Sequence, residues 1–498
     1  MYPLRGFRIY RRTGGRKGSP VFLKFSRFCS GTFRSIFPSG FAAGAAAVLA
    51  SILLHPALFY KRNTTFTKEF FLMRRKIIDM CVIGFALFSM FFGAGNVIFP
   101  PYMGLSCGRE WFAGFAWYYL ADIGLALAAI FALLRCGSTE KLCARLGPIP
   151  STLLLSAIVL CIGPMLAIPR TAATTYEMAL SPLVSGVSPV LFSVLFFTLI
   201  ALICVRENAV VDIVGKFLTP ALLIGLLVLI VLGVIHPIGP VPDRVLVESV
   251  SATGIEAGYQ TMDVLAAVLF GTIVLKSAQN KGYDRRADQV KVVAGASLVA
   301  GAALLVVYLG LTYLGVTTSR FFGLDVQRTF LMVSIVRSLL GTPGVWLFSL
   351  IVSLACITTA AALVSAAADY FSTLSGGKIS YGKMVVIVCV FSAAAANFGL
   401  DTIVSIAAPV LGIVYPPTLV MVFFSFFDRL LPGPAPVRFA AAGALAVSVL
   451  TALADFGAPL DFLSRLPFAA MGFGWLVPAL VCGAAGWAMS CLHSAKEK

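Results

Sequence analysis

The sequence Phe92-Gly-Ala-Gly-Asn96 interrupts an apolar stretch that extends over residues 78–105. Two glycines and an amide side chain are poor choices for the middle of a helix in lipid, because each glycine costs about 1 kcal/mol in a helix interior. Unpaired backbone groups in hydrocarbon cost several kcal/mol more, so a break is tolerated only where they face protein, water or a ligand. The stretch therefore predicts a membrane helix broken at its centre, a feature of many secondary transporters.

The composition of the whole chain agrees with a membrane protein. Of its 498 residues, 59% are hydrophobic and only 12% are charged, whereas soluble domains carry about 25% charged residues. A spanning helix needs about 20 mostly apolar residues, and by this measure we predict twelve transmembrane helices between residues 78 and 491. The predicted fold class is therefore an all-α polytopic membrane protein.

The net charge of +17 does not indicate a nucleic-acid-binding protein. The first 72 residues hold twelve Lys and Arg residues against one Glu, and the remaining excess lies mainly in short loops. With twelve spans, these loops all fall on one side of the membrane. The positive-inside rule makes that side the cytoplasm and places both termini there.

We expect three parts along the chain: a basic N-terminal extension over residues 1–72, a core of ten helices over 73–430, and two additional helices with a short cytoplasmic tail over 431–498. The extension contains an apolar run at 41–54, which is short for a membrane span. Three interpretations stay open for it. It is a basic tail with an interfacial helix, a thirteenth span, or sequence upstream of a native start at Met73.

A second break is predicted in the sixth span, where the polar sequence Glu256-Ala-Gly-Tyr-Gln-Thr-Met-Asp263 leads directly into an apolar helix. The two broken spans lie five apart, and a repeat of five helices inverts its topology in the second copy. Paired breaks in inverted halves are the best sequence indicator of a transporter binding site. The pattern predicts a five-plus-five inverted repeat followed by two C-terminal helices.

Each break exposes helix ends that can bind charged groups. Free N–H groups at residues 94–96 suit a carboxylate, and carbonyl groups at the end of the inner half suit a cation or an ammonium group. A zwitterionic amino acid matches both ends. The alternative is close helix packing through small residues. The predicted substrate-binding residues are Gly93, Ala94, Gly95, Asn96, Gly258, Tyr259, Gln260, Thr261 and Asp263.

Several other polar residues are candidates for coupling or gating. Asp263 is an acid within the membrane, and such residues are functional by default; the alternative is an acid at the water boundary. Lys216 lies inside span five, where it extends to the interface, takes part in proton coupling, or supplies a fixed charge in place of an ion. Arg170 and Asp401 lie near the outer ends of their spans, and we predict an ion pair between them that gates the site.

Sequence motifs for other classes of protein are absent. The chain has no phosphate-binding Gly-x4-Gly-Lys-Ser/Thr motif, no Gly-x-Ser-x-Gly and no His-Glu-x-x-His. We therefore predict no enzymatic activity and no cofactor apart from a coupling ion. A channel needs a continuous polar lining, for which the spans hold too few polar residues. A membrane solute sensor stays open as an alternative.

Five segments resemble the bacterial branched-chain amino acid:cation symporter family. The resemblance covers about residues 73–491 and does not include residues 1–72. The segments are Phe88-Ser-Met-Phe-Phe-Gly-Ala-Gly-Asn-Val-Ile-Phe-Pro-Pro101, Ile162-Gly-Pro-Met-Leu-Ala-Ile-Pro-Arg-Thr-Ala-Ala-Thr-Thr-Tyr-Glu177, Gly258-Tyr-Gln-Thr-Met-Asp263, Leu354-Ala-Cys-Ile-Thr-Thr-Ala360 and Pro409-Val-Leu-Gly-Ile-Val-Tyr-Pro416.

The resemblance implies a LeuT-like fold and uptake of leucine, isoleucine and valine across the bacterial inner membrane by alternating access. It implies Na+ or H+ as the coupling ion and membrane lipids as neighbours, while the oligomeric state stays open. Uptake of a different small amino acid or solute on the same fold is the alternative. The implied Na+ ligands are Ser89, Phe92, Ala355, Thr358 and Thr359. Taken alone, threonine hydroxyls more often bond to the preceding helical turn.

Overall fold

We describe the protein from a computed structural model, which covers residues 64–184, 186–205 and 209–496. Within these ranges the chain forms helices and turns, with no β-strand. Residues Arg74–Lys498 form one compact unit. The predictions for the N-terminal extension fall mainly outside the described ranges, and their three interpretations stay open.

The α-helices are numbered in chain order through the described residues. They are α1 (Thr64–Phe91), α2 (Ala94–Cys107), α3 (Trp111–Tyr119), α4 (Leu125–Cys136), α5 (Thr139–Cys143), α6 (Pro148–Leu160), α7 (Ala167–Thr175), α8 (Pro189–Val205), α9 (Ala209–Ile235), α10 (Val250–Thr261), α11 (Asp263–Asn280), α12 (Arg286–Val316), α13 (Arg328–Leu374), α14 (Tyr381–Ala396), α15 (Leu400–Phe426), α16 (Ala435–Asp455) and α17 (Leu476–Lys496). Short π-helical segments at Leu120–Gly124, Cys161–Met165 and Tyr176–Leu180 connect or extend some of these helices.

Seven helical segments of the described chain are long and apolar enough to cross a membrane. Four shorter apolar helices accompany them, at Pro189–Val205, Leu222–Ile235, Tyr381–Ala396 and Leu476–Leu492. The prediction of an all-α, multi-pass membrane protein is thus confirmed. The number twelve and the five-plus-five arrangement stay predictions.

Helices α2 and α12 are in backbone contact at two glycines. A Cβ atom placed on Gly104 would lie 1.9 Å from the carbonyl oxygen of Thr312, and one placed on Gly315 would lie 1.8 Å from that of Pro101. Small residues allow membrane helices to approach this closely, and packing then stabilises the pair without a hydrophobic driving force. The contact fixes α2, which begins at the first predicted break, against the long helix α12.

Helix α10 packs against α3 and the π-helical segment Leu120–Gly124 in the same way. A Cβ atom on Gly258 would lie 2.9 Å from the Tyr118 carbonyl oxygen and 3.0 Å from the Asp122 backbone nitrogen. Gly258 therefore serves helix packing, which is the alternative role for a glycine at a break. This contact brings Asp122 next to the end of α10, where the second break lies.

Candidate functional site

Both predicted helix breaks are present in the structure. The first lies between α1 and α2, where Gly93 has extended backbone angles, with φ −117° and ψ −165°. The second lies at Met262 between α10 and α11, where φ is +68° and ψ is 14°. Left-handed backbone is uncommon for a residue other than glycine and is found preferentially at functional sites. Both breaks leave helix ends without their usual intrahelical partners.

A single cavity joins the two breaks. Its free space is about 30 Å³, which is enough for one or two water molecules. One side is apolar, and the other carries polar groups from both breaks. The lining residues are Met90, Phe91, Gly93, Ala94, Asn96, Ile162, Ala167, Arg170, Thr171, Thr261, Met262, Asp263, Ala266, Phe270, Thr359 and Leu363.

Asn96 connects the first break to the second. Its Oδ1 atom accepts a hydrogen bond from the backbone N–H of Gly93 at 3.3 Å, and its Nδ2 atom donates to Oδ2 of Asp263 at 2.8 Å. The same Nδ2 atom also donates to the hydroxyl group of Tyr308 on α12. All of these groups are buried, where an unmet hydrogen bond costs about 1–3 kcal/mol. The amide of Asn96 therefore determines the relative position of the two breaks.

Arg170 on α7 binds the C-terminal end of α10. Its side chain donates to the backbone carbonyl oxygens of Gln260 and of Thr261, the latter at 3.1 Å, and is only 4% exposed. A cation at the C-terminal end of a helix is favoured by the helix dipole. The guanidinium carbon also lies 5.8 Å from the ring centre of Phe99. Arg170 is thus part of the site and stabilises the second break.

The structure places five of the nine predicted substrate-binding residues on the cavity wall: Gly93, Ala94, Asn96, Thr261 and Asp263. The other four do not line the cavity and instead contact other parts of the protein. Gly95 packs against the Arg170 guanidinium and Gly258 against α3. The ring of Tyr259 stacks on that of Tyr415 with centres 4.2 Å apart, and Gln260 donates to the Val404 carbonyl oxygen at 3.2 Å.

The predicted sodium ligands are only partly brought together. The buried Thr359 hydroxyl group has no hydrogen-bond partner, lines the cavity and lies 3.8 Å from the position a Gly93 Cβ would take. The Thr358 hydroxyl group instead donates to the Ala355 carbonyl oxygen at 2.9 Å within its own helix. Thr358 thus bonds to the preceding helical turn, whereas Thr359 has the free oxygen that a cation site requires. Ser89 is half-buried on α1, and Phe92 precedes the first break.

The predicted ion pair between Arg170 and Asp401 is wrong in this structure. Arg170 is buried at the site and binds the backbone carbonyl groups of Gln260 and Thr261. Asp401 at the start of α15 pairs with Arg328 of α13 at 2.7 Å, and the Arg328 guanidinium lies 4.5 Å from the ring centre of Tyr102 on α2. This contact between α13, α15 and α2 is therefore formed by Arg328, Asp401 and Tyr102. Lys216 lies in α9, but its side chain falls outside the described part of the chain.

Reversing the charge of Arg328 or Asp401 alone is expected to reduce solute uptake, and reversing both is expected to restore it. The pair is partly exposed, with side-chain exposures of 25% and 44%, so it stabilises the contact by about 1 kcal/mol. Losing it would lower the ratio of closed to open protein about fivefold. Uptake by Arg328→Asp, Asp401→Arg and the double variant measures this. A double variant no better than the singles would mean that the pair does not control access.

Sequence reasoning did not single out three residues of this region, Asp122, Tyr118 and Tyr308. Asp122 is fully buried in the π-helical segment and accepts a hydrogen bond from the Thr261 hydroxyl group at 2.8 Å. A signal for it was present, since Asp122 is an acid within the predicted second span and such residues are functional by default. For the two tyrosines the sequence carries no such signal, because aromatic residues are common throughout membrane helices.

Comparison with solved structures agrees with this fold. A structure of Mhp1, a nucleobase-cation-symport-1 family transporter, matches with a TM-score of 0.59 at 14% identity, over 83% of this chain and 93% of that chain. A sodium-coupled sialic acid symporter matches with a TM-score of 0.56 at 13% identity, over 82% and 90% of the two chains. At these identities the likeness shows a shared fold and no more.

Comparison of sequences identifies the family. Residues 76–493 match the family model described as "Branched-chain amino acid transport protein". A branched-chain amino acid permease of Bacillus subtilis, BrnQ, is 31% identical over 427 residues, which are 83% of this chain and 97% of the relative. The branched-chain amino acid transport system 2 carrier protein of Pseudomonas aeruginosa is 34% identical over 82% of this chain and 94% of the relative. The family and these relatives are transport proteins, which confirms that the chain is not an enzyme. The chain belongs to the branched-chain amino acid transport protein family.

Proposed function

We propose that this protein takes up leucine, isoleucine and valine together with Na+ by alternating access. The observation that carries the proposal is the single cavity between two broken helices, which presents helix ends to a zwitterion and an apolar wall to its side chain. The free N–H groups at the start of α2 favour the substrate carboxylate. The carboxylate of Asp263 faces the same space and suits the ammonium group.

The apolar wall supports an aliphatic substrate. Ile162, Ala266, Phe270 and Leu363 line the cavity and form its apolar side. A branched aliphatic side chain buried against them gains about 0.8 kcal/mol for each CH2 group removed from water. A polar or charged side chain would lose its hydration there without a partner. The names of the relatives give the same substrate class for those proteins.

The cavity size supports alternating access. Free space of about 30 Å³ holds one or two waters, so an amino acid enters only after the surrounding helices separate. Opening to one side at a time exposes the site first outside and then inside, and a shared bound state couples the solute to its ion. Such coupling is commonly about 1–3 kcal/mol. We place the protein in the bacterial inner membrane with both termini in the cytoplasm, with residues 73–430 as the transport core.

Replacing Thr359 with alanine is expected to raise the Na+ concentration for half-maximal uptake. The unpartnered hydroxyl group beside Gly93 is the described group that best fits a cation ligand. Loss of this one ligand is expected to weaken Na+ binding about tenfold, or by about 1.4 kcal/mol. Leucine affinity at saturating Na+ is expected to stay near the wild-type value. Labelled leucine uptake in proteoliposomes at varied Na+ measures both quantities.

Ser353→Ala on the same helix is the matched control, because the Ser353 hydroxyl group donates to the Ser349 carbonyl oxygen at 2.7 Å and does not line the cavity. An unchanged Na+ curve for Thr359→Ala would remove this residue from the ion site. The proposed function itself is tested by exchange of labelled against unlabelled leucine across the vesicle membrane. A wild-type protein that exchanges none of the three amino acids would contradict it.

A further inference from the structure

Asp122 and Asp263 form a pair of buried acids at the second break. Asp122 is 0% exposed and Asp263 is 4% exposed. Thr261 links them: the backbone N–H of Asp263 donates to the Thr261 hydroxyl oxygen at 3.5 Å, and the same hydroxyl group contacts Asp122. The oxygen contacts are specific: Thr261 donates to Oδ1 of Asp122 at 2.8 Å, and Asn96 donates to Oδ2 of Asp263 at 2.8 Å. The two acids thus belong to one connected group of polar side chains.

The charges around this pair do not balance when both acids are ionised. Arg170 is the charged group that faces the pair from α7, and it already binds two backbone carbonyl groups. The remaining titratable groups around the pair are the hydroxyl groups of Tyr118 and Tyr119 on α3, Tyr308 on α12 and Tyr415 on α15. Among the described side chains, two negative charges therefore face one positive charge. Two carboxylates that share a buried site cannot both be ionised without a large cost.

The space around Asp122 favours a proton over a metal ion as the missing positive charge. Asp122 does not line the cavity, and its Oδ2 atom is buried without a hydrogen-bond partner. The hydroxyl group of Tyr118 lies beside the Asp122 carboxyl group and is buried with it. Within the described ranges, no cluster of three or more His, Cys, Asp and Glu side chains is arranged to hold a metal. A proton needs no additional ligands and no free volume.

We propose that Asp122 and Asp263 share one proton that binds with the substrate outside and leaves inside, so that a proton moves with each transport cycle in addition to Na+. The proposal rests on the proposed transport function. On binding, a proton from external water forms an O–H bond with one carboxylate oxygen and is donated to the other carboxylate. On release, this O–H bond breaks, the electron pair stays on the oxygen, and the proton passes to cytoplasmic water.

The geometry explains how substrate and proton would be coupled. Asp263 lines the cavity and is bonded to Asn96 at the first break, so it responds to a substrate held there. Asp122 is bonded to Thr261, whose backbone carbonyl oxygen is bound by Arg170. A movement of the second break that separates the two acids would remove the partner of the shared proton and promote its release.

The test compares wild-type protein with Asp122→Asn in proteoliposomes at equal Na+ on both sides. Three quantities are measured: leucine exchange, leucine accumulation driven by a pH gradient, and proton entry reported by a pH-sensitive dye inside the vesicles. Asp122→Asn is expected to lose less of its leucine exchange than of its proton-driven transport, because exchange needs no net proton movement. It is expected to lose the pH-driven accumulation and the dye signal, by a factor within the usual coupling range of about 5–150-fold.

Asp461→Asn is the matched control, since Asp461 is exposed in a short loop helix, does not line the cavity, and loses the same charge on substitution. Asp122→Glu keeps a titratable group and is expected to regain part of the pH-driven uptake if Asp122→Asn does not fold. Wild-type protein that exchanges leucine but shows no response to a pH gradient would overturn the proposal, and so would full pH-driven uptake by Asp122→Asn.

An infrared measurement on purified protein tests the shared proton independently of which substrate the protein transports. A protonated buried carboxyl group gives a carbonyl band that is distinct from that of a carboxylate. The band is expected in wild-type protein and in Asp461→Asn, and it is expected to be absent in Asp122→Asn. If the wild type exchanged no leucine, the proposed substrate would be wrong, while the presence or absence of this band would still decide the shared proton.

Discussion

Replacing Arg170 with glutamine is expected to reduce leucine uptake by at least about two orders of magnitude. The change leaves the carbonyl groups of Gln260 and Thr261 without their cationic donor and leaves the acids of the site without a counter-charge. Removing one partner from a buried charged contact costs about 3–5 kcal/mol, and each 1.4 kcal/mol corresponds to about tenfold. Leucine exchange in proteoliposomes and thermal unfolding in detergent measure the functional and structural parts of this loss.

Lysine at the same position tests the geometry of the contact. A lysine keeps the charge, but its single ammonium group lacks the planar fork by which an arginine binds two acceptors at once. Arg170→Lys is therefore expected to fold better than Arg170→Gln and to remain well below wild-type uptake. Arg465→Gln, at an exposed arginine, is the control for the loss of one positive charge. Wild-type exchange by Arg170→Gln would show that the second break does not depend on Arg170.

Replacing Gly315 with alanine is expected to destabilise the folded protein strongly, although it adds only one methyl group. The added Cβ atom would lie 1.8 Å from the carbonyl oxygen of Pro101, so α2 and α12 must separate to accommodate it. Overpacking of this kind costs about 1–3 kcal/mol and occasionally more. The loss is expected to be large at this position because the obstructing atom belongs to backbone. The yield of monodisperse protein and its melting temperature in detergent measure the effect.

Gly412→Ala is the matched control, because an added methyl group there meets no atom within 4 Å. It lies within α15, where alanine is favoured over glycine by about 1 kcal/mol, so its stability is expected to equal or slightly exceed that of wild type. If Gly315→Ala were as stable as Gly412→Ala, α2 and α12 would not be in close backbone contact.

The local features of the fold could be predicted from the sequence, and the pairings between distant residues could not. The breaks at Gly93 and Met262 were predictable because glycine and polar residues within apolar runs carry their own energetic cost. The partner of Arg170 was not, because a sequence position near a helix end does not tell whether the side chain turns outward or toward the centre. The choice between Thr358 and Thr359 also depended on rotation about the helix axis, which two adjacent residues leave undetermined.

Asp122 shows a different kind of limit. Its position within an apolar span marks it as unusual, but its role depends on a π-helical segment that turns its side chain toward α10. One extra residue in a helical turn shifts every later side chain around the axis, and no residue pattern in the span predicts that shift. The pair with Asp263 therefore became visible only once the two spans were placed side by side.

The contact between α2 and α12 also restricts the motions available to the protein. Because backbone lies against backbone at Gly104 and Gly315, we expect these two helices to move together rather than slide past each other. In the proposed cycle, the bending must then occur at flexible joints on either side of that pair. Gly93, in extended backbone at the start of α2, and Met262, in left-handed backbone before α11, are where such hinges would lie.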